Sequence, residues 1–230
     1  MQELIDRATA VIEEADEKYD NLWFGWTGGK DSTLLLWLAQ QADIDPVRAI
    51  FIDTKYHFDE TYTFIDEIED EWDIELHTEA FPNELSDDEF DDPYIRNQKL
   101  KTVPLHIAIK RLGVDAFATG IRHDESEARE DETYFSPREY EEEELEDLRH
   151  MRVHPILHFE ERAVWETIIE NEIPIHPLYK EGYRSIGSTY DTEVSEPGVP
   201  AWEQDLEEGT ERDGRGQSKE NLMSRLRDYR

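Results

Sequence analysis

Residues 24–33 read FGWTGGKDST. Two glycines, a lysine, an acid and two hydroxyls stand between an apolar run and the leucine-rich LLLWLA. The chemistry these types suit is the holding of an anion. Gly28 and Gly29 let the backbone come close to a ligand. The exposed amides and the dipole of a following helix then attract negative charge. Lys30 adds a point charge, and Ser32 and Thr33 add hydroxyl donors. The same residues also suit an ordinary strand-to-helix turn with a hydroxyl cap. Two familiar phosphate loops do not fit. The pattern G-x-x-x-x-G-K-[ST] needs one more residue between Gly25 and Gly29, and Asp31 follows Lys30. The pattern G-x-G-x-x-G is absent.

Such a turn works only if a strand and a helix hold it. NLWFGW is a short aromatic run, DSTLLLWLAQQA reads as a buried helix and VRAIFID as a second strand. Strand, glycine turn, helix and strand make a βαβ unit of the length a parallel crossover requires. Upstream, Leu4, Ile5, Ala8, Val11 and Ile12 recur at helical spacing. Downstream, TYTFIDEIEDEW, VPLHIAIKRLG and RAVWETIIENE read as helices, IELHTEA and VDAFATG as strands. The alternation predicts an α/β fold, a doubly wound parallel sheet covered on both faces. Residues 1–184 form the expected nucleotide-binding domain. Residues 185–230, rich in Gly, Ser, Glu and Pro, form an expected C-terminal arm or lid.

The 230 residues allow a substantial core. With 58 acids against 24 bases the net charge is -34. That field repels a nucleic-acid backbone, so any phosphate must be held by local donors. The acids are spread along the chain, which suits a halophilic protein of a high-salt cytoplasm, as in haloarchaea. EYEEEELEDL reads as a solvated helix face. No cysteine is present, so disulfides, thiolate metal sites, cysteine-bound iron–sulfur clusters and cysteine nucleophiles are excluded. No stretch is long and apolar enough for a membrane span, and the acidic amphipathic start is not a signal peptide. A soluble, cytoplasmic protein is expected.

The turn resembles the S-G-G-x-D-S pyrophosphate loop (PP-loop) of the adenine-nucleotide alpha-hydrolase superfamily, with Thr27 in place of the first serine. FIDTKYHFDETYTFIDE is similar to the D-T-G-Y-x-F-P-E-T segment of phosphoadenylylsulfate (PAPS) reductases and the small subunit of sulfate adenylyltransferase. Lys55 replaces its glycine and Asp59 its proline. GIRHDESEARE resembles the arginine motif of both families. The stretch HPILHFEERAVWETIIENEIPIHPLYKEGYRSIGSTYDT resembles their W-x-x-x-[IV]-P-x-x-P-L-Y region, and its G-Y-x-S-I-G ending is closer to the reductases.

The resemblance implies roles. Thr27, Gly28, Gly29, Lys30, Asp31 and Ser32 would hold phosphates, and Asp53 and Thr54 would sit near the nucleoside. Gly120 and Arg122 would approach from a neighbouring strand end. Lys30 and Arg122 would carry the catalytic charge, with Arg122 as a clamp. Arg129 suits a second clamp or a surface ion pair. Lys180, Tyr183 and Arg184 suit closure from the tail side. ATP or PAPS would be the substrate, with Mg²⁺ accompanying ATP, no iron–sulfur cluster and no protein metal site. Asp124 and Glu125 suit either Mg²⁺ or the orientation of Arg122. His150, His154 and His158 recur every four residues, but Pro155 breaks any helix that would align them.

In the reductases a tail of the form G-R-W…K-x-E-C-G-L carries a nucleophilic cysteine. ERDGRGQSKENLM is similar to it, yet Asn221 stands at the cysteine position. Thiol-based reduction on this chain is therefore excluded. ATP-dependent adenylyl transfer in sulfur metabolism is the leading expectation. A reductase-like protein using an external thiol and a non-catalytic nucleotide-binding subunit are the alternatives. A GTPase partner subunit would accompany transfer, and a thioredoxin-like protein would accompany reduction. Sulfate, a tRNA base and a flavin precursor all serve relatives of this loop as acceptors. A homo-oligomer is expected. Raising KCl from tens of millimolar to molar should raise the thermal midpoint, because screening shortens from about 10 Å at 0.1 M to about 3 Å at 1 M. A melting series checks this.

Overall fold

The computed structural model describes residues 1–125, 129, 131–138 and 148–206. Nearly all of the acidic run, residues 139–147, lies outside them. So does the tail 207–230, with Gly214, Arg215, Lys219, Glu220 and Asn221.

Six strands form one sheet: β1 (Leu22–Gly25), β2 (Arg48–Asp53), β3 (Glu75–Ala80), β4 (Ala116–Ala118), β5 (Phe135–Arg138) and β6 (His150–Val153). Their spatial order is β3-β2-β1-β4-β6-β5. All pairs are parallel except β5 with β6. The order departs in both directions from β1, so the chain changes direction across the sheet between β1 and β4. That is where open α/β sheets leave a crevice beyond their carboxyl ends.

Alternation along the central strands explains why both faces are covered. Leu22 and Phe24 of β1, Ala49 and Phe51 of β2, and Ala116 and Ala118 of β4 enter one core. Trp23, Ile50 and Phe117, between them, enter a second. The first core is completed by α1 (Gln2–Lys18), α2 (Lys30–Gln41), α3 (Asp59–Trp72) and α7 (Glu161–Glu170). The second is completed by α6 (Val103–Leu112) through Ala108 and Ile109. Period-two alternation in strands and 3.6-residue stripes in helices therefore agree.

Two features depart from the sequence expectation. β5 is an antiparallel edge strand, too short and polar to announce itself. The helix expected at VPLHIAIKRLG stands where it was read, as α6, but an irregular helical stretch that was not expected precedes it. Short α4 (Asp87–Asp91) and α5 (Pro93–Asn97) lead into a π-helical turn, Gln98–Thr102, before α6. Pro104 has no N–H to give the preceding turn, and the ladder widens there. The widening sets the position of Lys101.

After α7 the chain runs through a 3₁₀ turn (Pro177–Glu181) to Gly182. Its φ is +104°, and a Cβ there would lie 2.0 Å from the Glu196 carbonyl oxygen. The Gly182 carbonyl accepts bonds from the Ser195 and Glu196 amides and from Gln204 Nε2. Gly182→Ala should lower stability by about 3 kcal/mol or more, read by denaturant unfolding.

Burial pushes His150, His154 and His176 each down to about 4. At His154 the Glu132 carboxylate opposes this. His176 accepts the Leu178 amide at Nδ1 and meets Thr61 Oγ1 at Nε2, 2.9 Å away. These folded-state values lie below the unfolded value of about 6.5, so the unfolded chain binds the extra protons. Their stability is complete above pH 6.5 and falls toward pH 4, by at most about 1.4 kcal/mol per pH unit per histidine. His176→Gln should be less stable at neutral pH and show a shallower loss over that window in unfolding titrations.

Candidate active site

β1 ends at Gly25, and Trp26 still pairs with β2, donating its amide to the Ile50 carbonyl at 3.0 Å. The chain then turns through Thr27 and Gly28, whose φ is +74°, to Gly29, the N-cap of α2. The turn is braced from within. Ser32 Oγ accepts the Thr27 amide at 3.2 Å, lies 3.1 Å from Thr27 Oγ1 and donates to the Gly29 carbonyl at 3.0 Å. Trp26 Nε1 donates to Thr33 Oγ1 at 3.1 Å. From the other end of the chain, Tyr179 places its hydroxyl on the first turn of α2, where it accepts the Lys30 amide at 2.9 Å.

This turn borders a cavity of about 340 Å³ beyond the carboxyl ends of β1, β2 and β4. Thr27, Gly29, Asp31 and Ser32 line one side. Ile50, Ile52 and Thr54 supply the β2 side, and Phe117, Thr119 and Gly120 the β4 side. The lining cations are Lys101, Arg129 and Arg152. The size falls within the range of small-molecule sites, about 300 to 1,000 Å³.

Lys30 and Arg122 sit back from the cavity wall. Both were expected to reach the ligand, and neither lines the cavity. The Lys30 side chain is fully buried, with Nζ 3.2 Å from Asp31 Oδ2 and 3.9 Å from Glu161 Oε1. Arg122 is also fully buried, with Nε 2.9 Å from Asp31 Oδ1 and a terminal nitrogen 3.0 Å from Asp124. Asp124 in turn accepts the Glu161 amide at the start of α7, 2.7 Å. Arg184, expected to close over the site, instead grips Glu161 at 2.8 Å and donates to the carbonyls of Asp205 and Leu206. Five charges thus alternate in sign along one row: Asp124, Arg122, Asp31, Lys30 and Glu161. A charge buried there must be paired, which decides the placement.

The remaining candidates divide. Arg129 lines the cavity and pairs with Glu125 at 2.9 Å. Thr54 lines it, 3.3 Å from Ser188 Oγ. Asp53 turns away, accepting the Lys55 amide and the Tyr62 hydroxyl, and borders a separate hollow. Gly120 lies against α2, where a Cβ would meet the Asp31 carbonyl carbon at 2.9 Å. Lys180 borders a groove between α3 and α7, and Tyr183 packs edge-on against Phe58. His154 meets Thr119 Oγ1 at 2.9 Å, and His158 packs on His123. Among the described residues no group of three His, Asp or Glu is placed to hold a metal. The cavity carboxylates Asp31 and Glu125 are committed to guanidinium groups, so they do not fit a resident Mg²⁺.

Lining residues given no individual role from the sequence are His57, Tyr179 and Ser185 to Ser188, which lie within the resembling stretches, and Lys101 and Arg152, which do not. Burial holds His57 below the usual histidine range. One signal did exist. In a chain with 58 acids, residues 93–114 contain none, yet hold Arg96, Lys99, Lys101, Lys110 and Arg111. Asp31→Ala should destabilise by about 3 to 5 kcal/mol, because Lys30 and Arg122 lose their shared partner in the interior. Arg7→Ala, which removes an exposed pair with Glu3, should change stability by less than about 1 kcal/mol. Urea unfolding of both variants checks the contrast.

A family model described as the phosphoadenosine phosphosulfate reductase domain matches residues 21–194. A phosphoadenosine 5'-phosphosulfate reductase of Buchnera aphidicola is 30% identical over 74% of this chain and 70% of its own. A sulfate adenylyltransferase subunit 2 of Ectopseudomonas mendocina is 26% identical over 81% of this chain and 68% of its own. Among solved structures, a PAPS reductase of Candida auris in a phosphate complex superposes with a TM-score of 0.66 at 25% identity, over 81% of this chain and 90% of that one. An FMN adenylyltransferase of Candida glabrata in complex with ATP reaches a TM-score of 0.72 at 18% identity, over 94% and 88%, a likeness of fold alone. The chain belongs to the phosphoadenosine phosphosulfate reductase domain family.

Proposed function

We propose that the cavity binds an adenine nucleotide and that the chain carries out ATP-dependent adenylyl transfer rather than thiol-based reduction. The observation that carries this reading is the pairing of the braced Thr27–Ser32 loop with a chain of 230 residues that holds no cysteine. Amides at the α2 start and the cations Lys101, Arg129 and Arg152 supply charge neutralisation. Ile50 and Ile52 supply an apolar wall for the base. An acceptor oxyanion would attack the α-phosphorus. A new oxygen–phosphorus bond forms, the α–β bridging bond breaks and pyrophosphate leaves. That reaction asks for alignment and preorganised positive charge and needs no covalent intermediate. Mg²⁺ would arrive with the nucleotide and neutralise the β and γ oxygens. The relative named sulfate adenylyltransferase subunit 2 supports the reading.

A second reading is PAPS reduction with a thiol from another protein. The relatives named phosphoadenosine 5'-phosphosulfate reductase favour it. So does the reductase-like Ser185-Ile186-Gly187 stretch on the cavity wall. In molar KCl with Mg²⁺ and inorganic pyrophosphatase, the chain should release pyrophosphate from ATP when an oxyanion acceptor such as sulfate is added. Absence of release, together with sulfite from PAPS once a dithiol or thioredoxin is present, would replace the first reading by the second.

A further inference from the structure

Residues 185–192 close one side of the cavity. Ser185 to Ser188 line it, and the next residues fasten it to the rim. The Thr189 amide donates to the Tyr56 carbonyl at 2.7 Å. Tyr190 packs edge-on against Tyr56 and Phe90, and Arg96 lies 4.4 Å over its ring. Asp191 connects this strap to the cavity in two ways. Its Oδ1 accepts the Ser188 amide at 2.9 Å and shapes the turn. Its Oδ2 lies 3.1 Å from Lys101 Nζ. Lys101 is itself part of the cavity wall. One ammonium therefore faces an internal carboxylate and the ligand space together.

An ammonium donates in three directions but carries a single charge, so two anions at its head compete. The Lys101–Asp191 pair is partly exposed, at 35% and 21% of the two side chains. Pairs of that exposure are weak and easily exchanged for a better-aligned oxyanion. We propose that Asp191 is a positioning residue that holds Lys101 in reserve. A nucleotide oxyanion, phosphate or sulfate, that reaches this end of the cavity draws Lys101 off Asp191 and loosens the Ser188–Asp191 turn. A ligand without an anion there leaves the pair and the strap in place. The inference rests on the reading of the cavity as an adenine-nucleotide site.

Asp191→Asn tests it, because the amide keeps an oxygen for the Ser188 N–H and loses the charge. The full chain is titrated calorimetrically in molar KCl with adenosine, AMP, ATP, adenosine 3',5'-bisphosphate and PAPS. The variant should bind the anion that reaches Lys101 about threefold to tenfold more tightly. Adenosine should change by less than about twofold, and the gain should vanish when Lys101→Met is added. Equal weakening of every ligand would make Asp191 merely structural and overturn the proposal. So would unchanged affinities, or a gain that survives Lys101→Met. Should Asp191→Asn fail to fold, Lys101→Met alone must weaken an anionic ligand and spare adenosine, and unchanged binding overturns the proposal. A folded wild-type chain that binds none of the five removes the nucleotide reading as well. Wild-type binding with no effect of Asp191→Asn removes only this inference.

Discussion

The site depends on a row of paired charges in which Lys30, Arg122 and Glu161 are buried. Asp124, Arg122, Asp31, Lys30 and Glu161 alternate in sign at distances between 2.9 and 3.9 Å. They tie three separate segments together: the start of α2, the loop after β4 and the start of α7. Removing Asp31 takes the shared partner from the buried Lys30 and Arg122, so these segments hold their relative positions together. Arg184 extends the row to residues 205 and 206. The loop in front can then remain open to a ligand, because its stiffness comes from behind and from the bonds of Ser32 and Tyr179.

On the proposed reading, this division of labour is how a chain of net charge -34 would hold an anion. The cations nearest the loop in sequence are spent on internal acids. Those facing the cavity come from elsewhere. Lys101 is carried by the π turn, Arg152 by β6 and Arg129 by the segment after β4. Backbone amides and the α2 dipole complete the field.

The βαβ unit around Gly28 and Gly29 was legible from local pattern: an aromatic run, two glycines and a leucine-rich helix. So were α1, α3, α6, α7 and the parallel sheet, because hydrophobic period reports the face each element buries. The orientation of charged side chains was not legible. Lys30 and Arg122 have the types and spacing of ligand clamps, but their partners Glu161 and Asp31 are chosen by tertiary packing. Tyr179 meets the Lys30 amide across 149 positions of sequence, and no local pattern carries that contact. The π turn that aims Lys101 follows from Pro104, a signal present but read only as part of a helix.

The claim that most needs a direct test is that the glycine turn holds nucleotide phosphates. The measurement is isothermal titration of the full chain in molar KCl with Mg²⁺, comparing ATP with adenosine in wild type and Gly28→Ala. Gly28 has φ +74°, which a Cβ disfavours. The expected result is ATP bound much more tightly than adenosine by the wild type, with that preference reduced in Gly28→Ala. A folded wild-type chain that binds ATP no better than adenosine would contradict the claim.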